Sequence, residues 1–205
     1  KRVFMRSLGN HCALGGLSSK VQEIGDVLAA SGKDYVFFET VGVGQGEHDI
    51  INVADISIVV LVPESGDEIQ LMKAGLIEIA DIFVINKSDR EGSNRIASTL
   101  KNILHILKKQ DKGEPSVFNT VAIKQEGVLE LFNGIELFLR MIDEEGLLES
   151  RKLERYRKRV FDIIQNSLKT SFWSSGKQNQ LIELTKNIDG TSIDPHTVAK
   201  QLLQG

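Results

Sequence analysis

The sequence predicts an α/β fold, a doubly wound and mainly parallel sheet followed by a C-terminal helical arm. Three observations predict it. Short β-branched and aromatic runs alternate with amphipathic helical patterns along the first 145 residues. Polar or glycine-rich clusters follow the carboxyl ends of these runs, where open α/β sheets bind their ligands. Beyond Gly146 the pattern changes to long charged helices with no strand-like run. Strand–helix alternation of this kind implies parallel strands with helices on both faces.

Taken in order, Arg2 to Arg6 is strand-like, and Ser7 to Gly16 is a loop of small and polar residues. A helix follows from about Leu17 to Ala30, ended by Gly32. Tyr35-Val36-Phe37-Phe38 reads as a second buried strand. It runs into Glu39-Thr40-Val41-Gly42-Val43-Gly44-Gln45-Gly46. There Glu39 is placed to hold a magnesium ion or its water, and Gly42 lets a backbone N–H approach a terminal phosphate. Gln45 could orient a water. A tight turn that uses glycine for positive φ is the structural alternative.

Asp55 to Val62 is a third strand. Asp67 then caps a helix reaching Ile79, with Ile69, Met72, Leu76 and Ile79 on one face and Gln70 and Lys73 elsewhere. The fourth strand, Ile82–Ile85, feeds directly into Asn86-Lys87-Ser88-Asp89. A helix from Asn94 to about Lys109 carries Ile96, Leu100, Ile103, Leu104 and Leu107 on one side. After Gly113-Glu114-Pro115, the run from Ser116 to Ala122 is a fifth strand and its end. Gly127 opens a helix from Val128 to about Asp143. The expected boundary divides a nucleotide-binding domain, 1–145, from a helical extension, 146–205.

The extension opens with a charged helix, Glu149 to about Lys169, whose basic run Arg151 to Arg159 is interrupted by Glu154 and followed by Asp162. Its expected state is a solvated face rather than a nucleic-acid surface. Phe161, Ile164, Leu168, Phe172 and Trp173 form a late apolar stripe, and two short helices near 178–187 and 194–203 end the chain. An extension this thin has to pack its stripe on the sheet domain or on a second copy.

Asn-Lys-x-Asp at a strand's carboxyl end is the most specific signal. Guanine presents two adjacent donors, N1–H and the exocyclic amine. The Asp89 carboxylate can accept both in a fork, and its charge strengthens the bonds. Adenine offers an acceptor at N1 and would leave the carboxylate facing a lone pair. Asn86 can hold the base edge and the neighbouring loop, and the stem of Lys87 can lie over the purine with its ammonium in water. Small residues around Val121 and Ala122 let the backbone approach the base edge. A strand-end turn spells three such letters by chance about one time in forty.

Composition narrows the class. With 205 residues and a net charge of −3, the chain has no global basic field for nucleic acid or anionic membrane. No apolar run approaches bilayer length. Cys12 is the single cysteine, which excludes an internal disulfide, fits a reducing compartment and argues against a cysteine-based metal site. Gly-x-x-x-x-Gly-Lys-Ser/Thr does not occur in the 205 residues. The strand, phosphate loop and first helix are therefore expected before residue 1 or not at all, and the 205 residues are expected to hold a base-recognition half without a triphosphate anchor.

Several segments together resemble the MeaB/ArgK family of P-loop GTPases. They are Arg6-Ser7 through Leu14-Gly15-Gly16, Glu39-Thr40-Val41-Gly42-Val43-Gly44-Gln45, Val62-Pro63 with Gly66-Asp67-Glu68-Ile69-Gln70, Lys73-Ala74-Gly75, Glu78-Ile79-Ala80-Asp81 and Asn86-Lys87-Ser88-Asp89. The likeness is close over about 3–145. It implies a P-loop NTPase fold, here without its phosphate-loop part, with GTP/GDP and Mg2+ as cofactors. It further implies a GTPase that chaperones an adenosylcobalamin-dependent acyl-CoA mutase, usually methylmalonyl-CoA mutase, gating cofactor loading and protecting the enzyme.

By that resemblance Glu39 lies near the magnesium and γ-phosphate, in the catalytic segment that also holds Gly42 and Gln45. Asn86, Lys87 and Asp89 read guanine, and Val121, Ala122 and Ile123 match a second base-contacting loop. The family often has serine where this chain has Val121, so backbone contacts are expected there. Asp67, Gln70 and Lys73 match a mobile loop that signals to the mutase. The C-terminal helices resemble a dimerisation arm, implying a homodimer. The family's phosphate loop and magnesium-binding Asp have no match here, so this chain alone is expected to be inactive while the intact parent hydrolyses GTP.

Two other readings compete. One is a non-hydrolysing docking or dimerisation module. The other is a related metallochaperone GTPase for nickel enzymes, against which His48, His105 and His196 are scattered and His11 with Cys12 makes a poor metal site. An older family label, kinase of a lysine–arginine–ornithine transport system, finds no membrane segment or phosphate-accepting site here. The expected compartment is the cytoplasm in a bacterium and the mitochondrial matrix in a eukaryote.

Overall fold

A computed structural model describes residues 3–8, 20–40, 47–63, 76–107, 115–186 and 194–204. It divides into two compact units, Lys1–Arg155 and Tyr156–Gly205.

The first unit is built on a parallel sheet in the order β1-β2-β3: β1 (Ile58–Leu61), β2 (Ile82–Asn86) and β3 (Ser116–Thr120). The register sets Leu61 beside Ile85, and Val84 beside Phe118. β2 is the middle strand, and its Ile82, Phe83, Val84 and Ile85 are buried on both faces. That is why its sequence is a continuous apolar run rather than an alternating one.

Alternate residues of the sheet feed two helical layers. Phe83 and Ile85, with Leu61, pack against Ile77 and Ala80 at the end of α2 (described over Leu76–Ile79) and against α3 (Ser93–Leu107). α3 delivers Ile96, Leu100 and Leu104 at helical spacing, each buried, so one stripe seals this face. Fully burying a side chain such as Phe83 or Leu100 stabilises by about 1.5–3 kcal/mol. Of the predicted α2 stripe, Ile69 and Met72 lie outside the described residues, and Ile79 is half-buried while its neighbour Ile77 is deeply buried.

On the other face Phe118 lies against Gly134 of α4 (Val128–Glu144), so closely that a Cβ there would collide with the ring. α1 (Val21–Ala30) likewise meets the Phe38 ring at Gly25 and ends before Gly32 at φ +78. Gln22 Nε2 of α1 donates to the carbonyl of Asn52 at 2.7 Å, tying the helix to the 3-10 turn Glu47–Asn52. Helices thus lie on both sides of the sheet, although Val60 of the edge strand β1 stays 58% exposed among the described residues.

Two predicted strands are not strands. Residues 3–6 and 35–38 pair with no described strand, and Phe37 is 81% exposed. Composition makes a segment able to be a strand, but a ladder partner makes it one. Instead Tyr35 donates its phenol hydrogen to Glu136 and sets its ring edge-on to Phe132 at 6.0 Å.

The charged helix α5 (Leu147–Phe172) follows Gly146, at φ +70. Its basic run is not simply solvated. Arg151 pairs with Asp81, and Arg155 with Asp55. Asp81 also accepts from Ser57 N at 2.9 Å and Ser57 Oγ at 3.2 Å. These contacts gather the amino ends of β1 and β2 under the start of the helix.

The second unit comprises the rest of α5, α6 (Ser175–Thr185) and α7 (Pro195–Gln204). Ser174 caps α6 by accepting from Lys177 N at 3.3 Å. The Lys177 ammonium reaches the carbonyl of Leu202 and stands 5.4 Å from the centre of the Phe172 ring. Val198 and Leu202 of α7 are buried, whereas Phe161, Ile164 and Leu168 of α5 are more than half exposed. No helix among the described residues is long and apolar enough to cross a membrane.

Candidate functional site

The candidate site lies where β2 and β3 end side by side. The register places Asn86 opposite Thr120, the last residue of each strand. Asn86 Oδ1 accepts from Thr120 Oγ1 at 3.2 Å and from the backbone N–H of Ala122 at 3.1 Å. One amide oxygen thus ties two strand ends and a loop together, and Asn86 Nδ2 makes no hydrogen bond among the described residues. Thr120 is buried and polar, and its hydroxyl is satisfied by this bond.

The chain turns sharply after Asn86. Lys87 adopts φ +56, a left-handed conformation uncommon for a residue with a Cβ. Ser88 N then donates to the Thr120 carbonyl at 3.0 Å, a second tie between the loops. The buried Ser93, at the start of α3, donates its hydroxyl to the Ser88 carbonyl at 2.8 Å. Arg90 N donates to the Lys87 carbonyl at 3.0 Å and closes the turn around Ser88 and Asp89. Asp89 is held at the mouth of the site with its side chain 38% exposed.

The second loop is as constrained as the first. Val121 is buried and bridges to Glu126, donating its N–H to that carbonyl at 3.0 Å. Between them lies the 3-10 turn Ala122–Lys124, closed by Gln125 at φ +62. Gly127 follows at φ +73, where a Cβ would strike the Asn119 carbonyl. Within the turn Ile123 is 92% exposed, and Lys124 extends its ammonium to Asp89 Oδ2 at 3.0 Å. The Asp89 carboxylate holds the Lys124 proton and raises its pKa above the ordinary 10.5.

The structure therefore brings together Asn86, Lys87, Asp89, Val121, Ala122 and Ile123. Glu39 is exposed and lies in an irregular segment after Phe38. Gly42, Gln45, Asp67, Gln70 and Lys73 lie outside the described residues. Among the described residues no group of three or more His, Cys, Asp or Glu side chains is gathered to hold a metal. Sequence reasoning missed Thr120, Ser93 and Lys124. Thr120 was visible only as the residue before Val121, and Ser93 as a small polar residue at a helix start.

A family model described as "Methylmalonyl Co-A mutase-associated GTPase MeaB" matches residues 1–177. The chain is 36% identical to a protein of Pyrococcus abyssi, over 98% of this chain and 63% of that relative. It is 30% identical to GTPase ArgK of Escherichia coli, over 98% of this chain and 62% of ArgK. A solved structure, described as the crystal structure of LAO/AO transport system kinase, superposes with a TM-score of 0.65 at 28% identity, covering 89% of this chain and 60% of the other. The chain thus spans less than two thirds of the length of these relatives.

Proposed function

Because the chain belongs to the MeaB/ArgK family of P-loop GTPases, we propose that it carries the guanine-reading part of a GTPase that chaperones an adenosylcobalamin-dependent acyl-CoA mutase. Methylmalonyl-CoA mutase is the proposed client, and cofactor loading the step that GTP gates. The observation that carries the nucleotide reading is the tie from Asn86 to Thr120 and Ala122, beside the partly exposed Asp89 carboxylate. It makes a rigid, polar edge of the right chemistry for a purine with two adjacent donors.

In this reading Asp89 accepts from N1–H and the exocyclic amine, and Asn86 Nδ2 donates to a base acceptor. The Lys87 stem covers the ring, and the backbone of Val121, Ala122 and Ile123 lines the opposite edge. Glu39, with Gly42 and Gln45, faces the phosphates. Its exposed carboxylate is a hard oxygen donor of the kind that Mg2+ takes singly or in pairs alongside phosphate oxygens. Magnesium bound there would neutralise phosphate charge during transfer. Asp67, Gln70 and Lys73 couple the nucleotide state to the mutase. The exposed stripe of Phe161, Ile164 and Leu168 supports pairing with a second copy, which sedimentation of the wild type against Phe161→Glu would read. The proposed compartment is the cytoplasm in a bacterium and the mitochondrial matrix in a eukaryote.

Isothermal titration of the chain with Mg·GTP and Mg·GDP, with ATP as control, tests the guanine reading. Guanine-selective binding is the expected result. Asp89→Asn replaces a charged acceptor by a neutral amide and should cut the GTP-over-ATP preference by about tenfold. Equal binding of GTP and ATP by the wild type would sink the assignment. No binding to either would favour a docking or dimerisation module.

A further inference from the structure

Lys124 belongs to none of the roles assigned above, yet it makes the direct contact with the carboxylate on which base selection depends. Its ammonium meets Asp89 Oδ2 at 3.0 Å although the two residues are 35 positions apart, and Asp89 Oδ1 has no partner among the described residues. We propose that Lys124 is a positioning residue for guanine selection, anchoring one oxygen of Asp89 so that the carboxylate presents a fixed fork to the base.

Three features carry this. First, the backbone that delivers the ammonium is itself held. Lys124 N donates to the Val121 carbonyl at 2.9 Å, Val121 bridges to Glu126, and the preceding Ala122 is tied to Asn86. The anchor and the carboxylate therefore hang from the same pair of strand ends. Second, the lone-pair count allows a carboxylate to serve both partners. Its two oxygens offer about four acceptor sites. The ammonium uses one and the base donors use two, so Lys124 need not leave when guanine arrives. Third, an ion pair this exposed, with side chains 51% and 38% open, adds little to fold stability. Its consequence falls on orientation. A carboxylate free to rotate pays rotamer entropy each time it takes a planar base, and an anchored one has already lost it.

The inference rests on the guanine reading, and the test separates the two. The 205-residue chain would be titrated with Mg·GDP, Mg·IDP and Mg·ADP as wild type, Lys124→Gln, Lys124→Arg and Asp89→Asn/Lys124→Gln. IDP keeps N1–H and lacks the exocyclic amine, so the GDP-to-IDP ratio reads the second arm of the fork. Lys124→Gln should weaken GDP by up to about fivefold, the scale of one exposed charge pair. ADP affinity and Tm should not change, and the GDP-to-IDP ratio should shrink. Lys124→Arg should keep the wild-type ratio. In the Asp89→Asn background Lys124→Gln should add nothing.

A wild type that prefers GDP, with a Lys124→Gln variant whose ratios are unchanged, overturns the role of Lys124 alone. Tighter GDP binding by Lys124→Gln also overturns it, because the lysine would then be competing with the base. A wild type with no GDP preference, or no GDP binding, takes down the guanine reading and this inference with it.

Discussion

Arg151 grips Asp81 with two near-parallel hydrogen bonds, Nη2 to Oδ1 at 2.8 Å and Nη1 to Oδ2 at 3.2 Å, although 70 positions separate them. The same Nη1 donates to the Asp55 carbonyl at 3.0 Å. A planar guanidinium matched to a carboxylate in this way is the strong form of the ion pair. Asp81, with its side chain only 16% exposed, is the hub, since Ser57 donates to it twice.

Asp81→Ala should therefore cost about 2–4 kcal/mol, because it leaves Ser57 N–H and the Arg151 fork without their acceptor. Arg151→Ala should cost less, about 1–2 kcal/mol, since Asp81 keeps both Ser57 donors. Urea midpoints measure both. Equal and negligible shifts would mean that the pair is solvated in solution.

Asn86→Ala should act on structure as well as on binding. Removing Oδ1 frees Ala122 N–H and Thr120 Oγ1, with an expected loss of about 1–2 kcal/mol. The informative readout is local. Amide exchange at Ala122 should accelerate, while exchange at Phe83 to Ile85 in the middle strand follows global stability alone.

Gly134→Ala places a methyl group where the Phe118 ring already lies. The expected cost is about 1–3 kcal/mol, the range for overpacking a filled core. Phe118→Leu should recover part of it in the double variant, a coupling that thermal unfolding of the four-member cycle would read. Simple additivity would show that the helix retreats from the sheet instead.

Alkaline titration should single out Tyr35. Its hydrogen bond to Glu136 is the main cause holding its proton, and burial and the negative charge nearby add to it, so its pKa stands above the ordinary 10.0. A group that binds its proton more tightly when folded contributes its stability fully below the unfolded pKa. That contribution is lost as pH rises through the higher folded value. In a Tyr156→Phe background, phenolate absorbance reports Tyr35 alone, and Glu136→Ala should move its midpoint down. An unmoved midpoint would show that the bond does not form in solution.

How far the fold was legible follows from what each segment needs. β2 could be read because burial on both faces writes itself as four consecutive apolar residues, Ile82 to Ile85. Tyr35 to Phe38 is a similarly apolar, β-favouring run yet pairs with no described strand, because a strand is defined by its neighbour and composition does not name neighbours. Asn86, Lys87 and Asp89 stand out in the sequence because the proposed guanine chemistry is carried by their spacing alone. Thr120 and Lys124 did not. The first matters through its register with Asn86, and the second through a loop that returns from a strand 35 positions away. Arg151 sat in a charge run whose average character was solvated, and only the position of Asp81 sets it apart.

The placement of β2 has a mechanical consequence. Asp81, gripped by the long helix, adjoins one end of the strand, and Asn86, tied to Thr120 and Ala122, closes the other. At about 3.3 Å per residue, some 16 Å of backbone separates them. A beam that short, packed on both faces and clamped at each end, has little slack to absorb a push.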